Sequence, residues 1–425
     1  ARLLASQADV AIVFVGLPEV FETEGADREH LRMPASHDAL VETVAAVNPR
    51  TVVVLSNGSP VEMPWIGHVP AVLEGYLGGQ ESGGAIARML VGELEPGGRL
   101  AETFPLRWSE HPVSTLPDGP RFAEYRESVY VGYRWTDTVG SDVLFPFGHG
   151  LSYTSFAWSG ATADPVVLTS DDPAVTVVVT VANTGERAGT DVVQVYVRPP
   201  QSGAFRPAHH LGGFAKVALA AGESADVHVL LDRRAFARWS PSRHDWVVDP
   251  GTYVLEVAAS SRDVRATFEV QVSGDAVPEA GAAAVYTAPR AGQQFDRASF
   301  EALLGRGLEP NEPERKGEFT MNTPLSQLGT STAATRLRGL IADRMGGVIG
   351  EDEVARVMVR HTLEDASLRM LSMFGQGKVS PAVAEGWMSR ASKWSDFSSR
   401  TRYLRIVSRV SACSSFTGCS SVISR

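Results

Sequence analysis

The chain has 425 residues, of which 44% are hydrophobic and 21% charged, with a net charge of −10 at pH 7. That length is too great for one hydrophobic core, so two or three domains are expected, and the acidic balance excludes nucleic acid and membrane partners, which need a basic face. No apolar run reaches the ~18–20 residues that span a bilayer, and the only cysteines, Cys413 and Cys419, lie too near the end to organise the body by disulfides or a metal site.

The opening, Ala1-Arg2-Leu3-Leu4-Ala5, lacks a signal-peptide core. Cytoplasmic location is favoured over secretion, and the absence of a leading Met suggests that the start of a parent protein lies upstream. Val10–Gly16 is a short continuous apolar run, the pattern of a strand buried on both faces. A helix follows, with Leu40, Val41, Val44 and Val47 on one side and Asn48-Pro49 as its stop. Thr51–Ser56 predicts a second buried strand and Ala71–Tyr76 a third. Ser82 is placed to cap a helix carrying Ile86, Ala87, Met89 and Leu90, which Glu95-Pro96-Gly97-Gly98 closes. Repeated strand–helix units imply a mainly parallel sheet with flanking helices, and function is expected at the carboxyl ends of its strands.

From about 157 to 273 the period becomes two. Val175–Val181, Val192–Val197, Ala225–Leu231, Thr252–Ala258 and Ala266–Val272 are strand-like runs separated by turn signals, the pattern of an all-β sandwich. Residues 274–292, rich in Ala, Gly and Pro, read as a linker. Residues 293–390 read as a helical extension, with apolar sets at 300–304, 337–341 and 354–358. The last 35 residues hold 11 Ser and six basic residues against one acid, Asp396. That composition predicts disorder for 391–425, and a shifted reading frame or an added segment as its source.

Several stretches taken in order resemble the family-3 glycoside hydrolases of the β-glucosidase kind. They include Glu22-Thr23-Glu24-Gly25-Ala26-Asp27-Arg28, Ser56-Asn57-Gly58-Ser59-Pro60, Gly78-Gly79-Gln80-Glu81-Ser82-Gly83 and Gly97-Gly98-Arg99-Leu100-Ala101-Glu102-Thr103-Phe104-Pro105. Tyr130-Val131-Gly132-Tyr133-Arg134-Trp135, Phe145-Pro146-Phe147-Gly148-His149-Gly150, Arg206-Pro207 and Pro250-Gly251-Thr252-Tyr253 continue the series. The resemblance implies an α/β-sandwich domain over 1–155 and a fibronectin-III/immunoglobulin-like sandwich over 156–273. Enzymes of this kind also have an N-terminal barrel that bears the nucleophilic Asp and most sugar contacts. A barrel takes ~250 residues, and these residues hold no counterpart, so a missing barrel is the expected partner and sugar specificity stays unread.

Retaining glycosidases use two carboxyl groups ~5–5.5 Å apart, one as nucleophile and one as general acid and then base. The resemblance maps the acid/base to Glu24, with Glu22 two residues away as its rival. Asp27 and Arg28 are read as structural support for the loop, and Glu127 and Arg134 as similar support between domains. Trp65 and Tyr133 are candidate sugar-stacking rings, although packing is the commoner use of such rings. His209 and His210 are placed on a surface loop without a ligand role.

The implied reaction is retaining hydrolysis of terminal β-D-glucosyl residues of β-glucosides or oligosaccharides, without cofactor or metal. A non-catalytic carbohydrate-binding or scaffold fragment is the alternative, and an esterase-like hydrolase a third. No HExxH, Walker A, GxGxxG or CxxC pattern occurs, and Gly329-Thr330-Ser331-Thr332-Ala333 lacks the final Gly of a serine-esterase elbow. Oligomeric state is not legible.

Overall fold

The computed structural model describes residues 1–23, 27–116, 119, 121–200, 205–278, 281–314, 318–327, 366–374 and 380–393. The chain divides into two compact units, 1–311 and 312–425.

The first unit opens with a three-stranded parallel sheet of β1 (Ala11–Gly16), β2 (Thr51–Ser56) and β3 (Ala71–Glu74) in that order. In register, Val13 lies beside Val53, and Val53 beside Val72. Helices α1 (Arg2–Gln7), α2 (Ala35–Ala45), α3 (Ser82–Leu90) and α4 (Tyr133–Val139) accompany it, and β4 (Phe104–Pro105) pairs antiparallel with β5 (Val143–Phe145). β2 is central, so Val53 and Leu55 are fully buried and pack with Val13, Val15, Val41, Val44, Trp65 and Phe104. Each such aliphatic side chain contributes about 1.5–3 kcal/mol through burial. Ser82 does not cap α3. Glu81 holds the cap position, and no side chain bonds there.

The following strands are β6 (Phe156–Asp164), β7 (Val167–Thr169), β8 (Val175–Asn183), β9 (Gly189–Arg198), β10 (His210–Leu219), β11 (Ser224–Leu231), β12 (Arg238–Ser240), β13 (Asp245–Val247), β14 (Gly251–Ala258) and β15 (Val264–Ser273), with α5 (Arg233–Phe236) between β11 and β12. Two sheets, β10-β9-β14-β15-β7 and β11-β8-β6, enclose a core of Val177, Val179, Val193, Val195, Val229, Leu255 and their neighbours. Strict alternation along β8 sends Val175, Val177, Val179 and Val181 inward. β6 and β10 are legible only in part from the sequence, because bulges at Ser159/Thr162 and Leu211/Gly213 break the period of two.

On β9, Gln194 and Tyr196 are buried although the sandwich core holds the other face, Val193, Val195 and Val197. The α/β domain covers them. Gln194 donates to the Gly148 carbonyl at 3.1 Å, and Tyr196 lies edge-on to Tyr133. Gly148 has φ +80°, and a Cβ there would lie 2.0 Å from the Gln194 amide oxygen, so this close crossing admits only glycine. Other ties across the seam are Arg99 to Asp191 at 2.8 Å, and Glu95 accepting from Thr190 N–H and hydroxyl at 3.2 and 3.1 Å.

His209 corrects its expected surface position. It is only 4% exposed, with Nε2 3.1 Å from Asp137 of α4 and Nδ1 2.6 Å from Glu256 of β14. Arg262 bonds Asp137 at 2.7 Å, and Arg198 bonds Glu256 through Nε at 3.0 Å. Burial alone would lower the His209 pKa, but hydrogen bonds and charge from Asp137 and Glu256 hold it above the ordinary imidazole value. Burial would raise both carboxylates, yet His209 with Arg262 and Arg198 holds them below the ordinary range.

Residues 274–292 are not a free linker. They contain α6 (Ala284–Thr287), whose Tyr286 is fully buried against Tyr130, Trp135 and Phe295, and whose carbonyl accepts from the Tyr130 hydroxyl. α7 (Arg297–Leu304) realises the apolar set at 300–304, capped by Asp296 accepting from Ser299 N–H at 2.8 Å. The predicted helices at 337–341 and 354–358 lie outside the described residues. In the second unit Phe319, Leu325, Ala366, Leu368 and Ala384 form a small core. It includes helices Leu368–Phe374 and Pro381–Lys393, so three residues of the predicted disordered tail are helical. The remainder of the tail is outside the described residues.

The His209 cluster gives a pH-dependent expectation. The stabilisation from a raised imidazole is full below the ordinary His value and is lost as pH rises through the raised one, whereas that of the two lowered carboxylates is lost as pH falls. His209→Ala should therefore cost about 3 kcal/mol of unfolding free energy near pH 6. The cost should be smaller near pH 9, above the ordinary imidazole range. Urea unfolding at both values measures it, and equal losses would show that the imidazolium charge contributes nothing.

Candidate active site

A cavity of about 1040 Å³ opens in the first unit beyond the carboxyl ends of β1 and β2. Its walls come from the segment after β1, the Ser59-Pro60 turn after β2, residues 101–116 and the stretch from Ala123 into α4. A ligand site at the carboxyl end of a parallel sheet is where such a topology leaves loops free to carry side chains.

The chain turns off β1 at Gly16, where a Cβ would sit 1.9 Å from the Ser56 carbonyl oxygen. Leu17 N–H then donates to that same oxygen at 3.0 Å. Five residues on, Glu22 binds the turn after β2, accepting from Gly58 N–H at 2.6 Å and from the Ser59 hydroxyl at 2.5 Å. Arg28 returns to the same turn, donating from Nη1 to the Ser59 hydroxyl at 2.7 Å and the Pro60 carbonyl at 3.0 Å. Two clamps thus fasten one segment at both ends. Thr23 and Asp27, which border residues 24–26, both line the cavity. Glu24, Gly25 and Ala26 themselves lie outside the described residues.

Both Glu22 oxygens are committed to this clamp, which suits an anchoring group better than one that must give up a proton. Arg28 is a loop anchor, in the role the sequence suggests for it. Asp27 is exposed on the cavity wall and forms no hydrogen bond or ion pair among the described residues.

The two candidate stacking rings fare differently. Trp65 is fully buried in the α/β core, with Nε1 donating to Asp38 at 2.9 Å, so it offers no ring face to a sugar. Apolar packing beneath the sheet uses the whole indole. Tyr133 does line the cavity, but Phe147 is stacked 4.6 Å away and the Tyr133 hydroxyl accepts from Leu211 N–H at 2.8 Å. Arg134 lines the cavity and is exposed.

Three further titratable groups line the cavity. Glu102 opens to the cavity and much of its surface is accessible, yet the surrounding walls desolvate its carboxyl. With the Glu22 charge this raises its pKa, against the pull of Arg28. Glu127 is buried, one of its oxygens has no hydrogen-bond partner, and burial raises its pKa. Burial lowers the His111 pKa, and the ring is stacked on Trp108 at 5.4 Å. Glu102 stands inside one of the recognised stretches, so position in that stretch was its only signal. Glu127, read from the sequence as support between domains, also lines the cavity, and His111 becomes a cavity residue only through folding.

Among the described residues no group of three or more His, Cys, Asp or Glu could hold a metal ion, and no helix is long and apolar enough to cross a membrane. The Gly329–Ala333 segment lies outside the described residues.

Residues 1–153 match the glycosyl hydrolase family 3 C-terminal domain, and residues 191–261 match a fibronectin type III-like domain. The chain is 47% identical over 274 residues to thermostable beta-glucosidase B of Acetivibrio thermocellus, covering 64% of this chain and 36% of that protein. It is 45% identical over 273 residues to an exo-alpha-(1->6)-L-arabinopyranosidase of Bifidobacterium longum, again covering 64% of this chain and 36% of the relative. Among solved structures, a GH3 beta-glucosidase of Bifidobacterium adolescentis superposes with a TM-score of 0.61 at 43% identity, over 65% of this chain and 41% of that one. The chain thus spans about a third of the length of the curated relatives it matches.

The clamp geometry makes one electrostatic expectation. Replacing Arg28 by Met removes the cation that opposes desolvation at Glu102, so the Glu102 carboxyl should titrate at higher pH than in the parent chain. Carboxyl NMR measures this, and an unmoved titration would show that Arg28 does not neutralise that side of the cavity.

Proposed function

We propose, from the premise that residues 1–153 are a glycosyl hydrolase family 3 C-terminal domain, that this chain supplies the acid/base half of a retaining β-glucosidase. The observation that carries the reading is the double clamp on the turn after β2. Glu22 and Arg28 hold both ends of the segment containing Glu24 at the wall of a cavity large enough for a sugar.

Glu24 protonates the departing glycosidic oxygen and then deprotonates the water that releases the sugar, while a second carboxylate attacks the anomeric carbon. The nucleophile is assigned to a barrel domain of the kind such enzymes carry, with β-glucosides or oligosaccharides as substrates. Fixing both ends of a loop at a cavity wall lowers the entropic cost of bringing a catalytic group to the scissile bond. Nearly equal identity to a β-glucosidase and to an arabinopyranosidase fits a division of labour in which the barrel, not this half, reads the sugar.

In the protein joined to its barrel, Glu24→Ala should lower turnover of substrates with poor leaving groups by about 10²–10⁴-fold. Substrates with good leaving groups should keep a faster first step, and added azide should restore their turnover, because a small anion needs no general base. Glu22→Ala should cost far less and show no azide rescue, since its carboxylate is spent on Gly58 and Ser59. Full activity of Glu24→Ala, or azide rescue of Glu22→Ala, would overturn the assignment. The 425-residue chain by itself should hydrolyse an aryl β-glucoside at most very slowly, because acid–base assistance alone is a small part of glycosidase acceleration.

A further inference from the structure

Strands β12 and β13 form a two-stranded hairpin on the sandwich domain, and none of their residues lines the cavity. Trp239 and Trp246 are directly paired across it, so both indoles project from the same face. They are 47% and 36% exposed, with ring centroids 5.6 Å apart in an edge-to-face arrangement. The other face is fastened to the body. Ser240 is fully buried, and Arg238 binds Asp249 at 2.6 and 2.8 Å.

Single exposed apolar side chains need no explanation, but two paired indoles on one rigid ribbon forgo a large amount of burial. Their orientation is fixed further by α5. The Arg234 guanidinium lies 3.3 Å from the Trp246 ring centroid, and Arg233 donates to the Trp246 carbonyl at 2.7 Å. With one face of Trp246 covered by Arg234, Trp239 carries the more open ring. Asp232, Arg234, Arg243, His244 and Asp245 are exposed around the pair.

We propose that Trp239 and Trp246 form a carbohydrate-binding platform on which a glucosyl ring of a β-linked glucan stacks. The apolar centre matches the C–H face of a pyranose, and the polar rim matches its hydroxyls, the usual division of labour in a small-ligand site. Two indoles are far smaller than the ~800 Å² per partner that a stable protein interface buries. The choice of a β-linked glucan rests on the β-glucosidase reading, whereas the stacking geometry does not. Such a platform would hold a long substrate on the enzyme while its end is processed elsewhere, raising its effective concentration there.

The test is titration of the 425-residue chain with cellohexaose, followed by calorimetry and by the indole N–H signals in NMR. The expected result is millimolar or tighter binding that shifts the Trp239 and Trp246 signals. Trp239→Ala should weaken it about tenfold or more, while Trp108→Ala, in the cavity, leaves it unchanged. Should Trp239→Ala unfold, the wild-type signal shifts decide by themselves, and Trp239→Gln repeats the affinity measurement. Absence of binding at about 10 mM glucan, or equal affinity for maltohexaose, would overturn the proposal. So would a concentration-dependent dimer lost on Trp239→Ala, which would make the pair a self-contact. Binding abolished by Trp108→Ala but not by Trp239→Ala would sink the platform and leave the glucosidase reading standing.

Discussion

Three buried carboxylates govern how the first unit is put together. Asp137 belongs to the α/β domain, and Asp191 and Glu256 belong to the sandwich. A carboxylate removed from water costs several kcal/mol unless a cation and hydrogen bonds replace its hydration. Asp137 receives them from His209 and Arg262 of the sandwich, and Asp191 receives them from Arg99 of the α/β domain and from the Trp158 indole N–H. Asp137 thus takes its cations from the sandwich and Asp191 takes its cation from the α/β domain, whereas Glu256 is paired within the sandwich by His209 and Arg198. The seam is therefore specified by charge and not only by apolar area, and a sliding of one domain on the other would strand a charge.

This constraint reaches the cavity directly. α4 carries Tyr133, Arg134 and Thr136 into the cavity wall, while Asp137 of the same helix is held by the sandwich. Leu211 N–H fixes the Tyr133 hydroxyl, and Ala208 N–H bonds Thr138 at 2.8 Å. The preceding stretch is held by Tyr130, which bonds the backbone of α6. The β-sandwich thus acts as the brace for one side of the cavity, and the segment read as a linker braces it again.

The opposite side of the cavity follows another rule. There the segment after β1 is sewn to the turn after β2 by Glu22 and Arg28, two side chains of opposite charge that share Ser59. Glu22 spends both carboxylate oxygens on holding that turn. Glu102 and Glu127 add carboxyls whose pKa values are raised by desolvation, whereas Arg126 and Arg297 hold Glu124, on the same cavity wall, below the ordinary range.

The amino-acid sequence by itself determined the fold class. Apolar runs at 10–16 and 51–56 are strands, although Ile12 and Phe14 leave one face of β1 exposed where burial on both was expected, and the alternation at 175–181 is a sandwich strand because one face must leave water. It also determined the order of stretches shared with family 3, since that information is local. What it did not decide were contacts between residues far apart in the chain. His209 looks like a surface residue until Asp137 and Glu256 meet it from 72 and 47 residues away. Trp65 looks like a sugar platform until the sheet closes over it. Glu22 resembles a rival catalyst until Gly58 and Ser59 claim both oxygens. In each case the side chain's chemistry is legible in one dimension, but its partners, and so its role, exist only once the chain has folded.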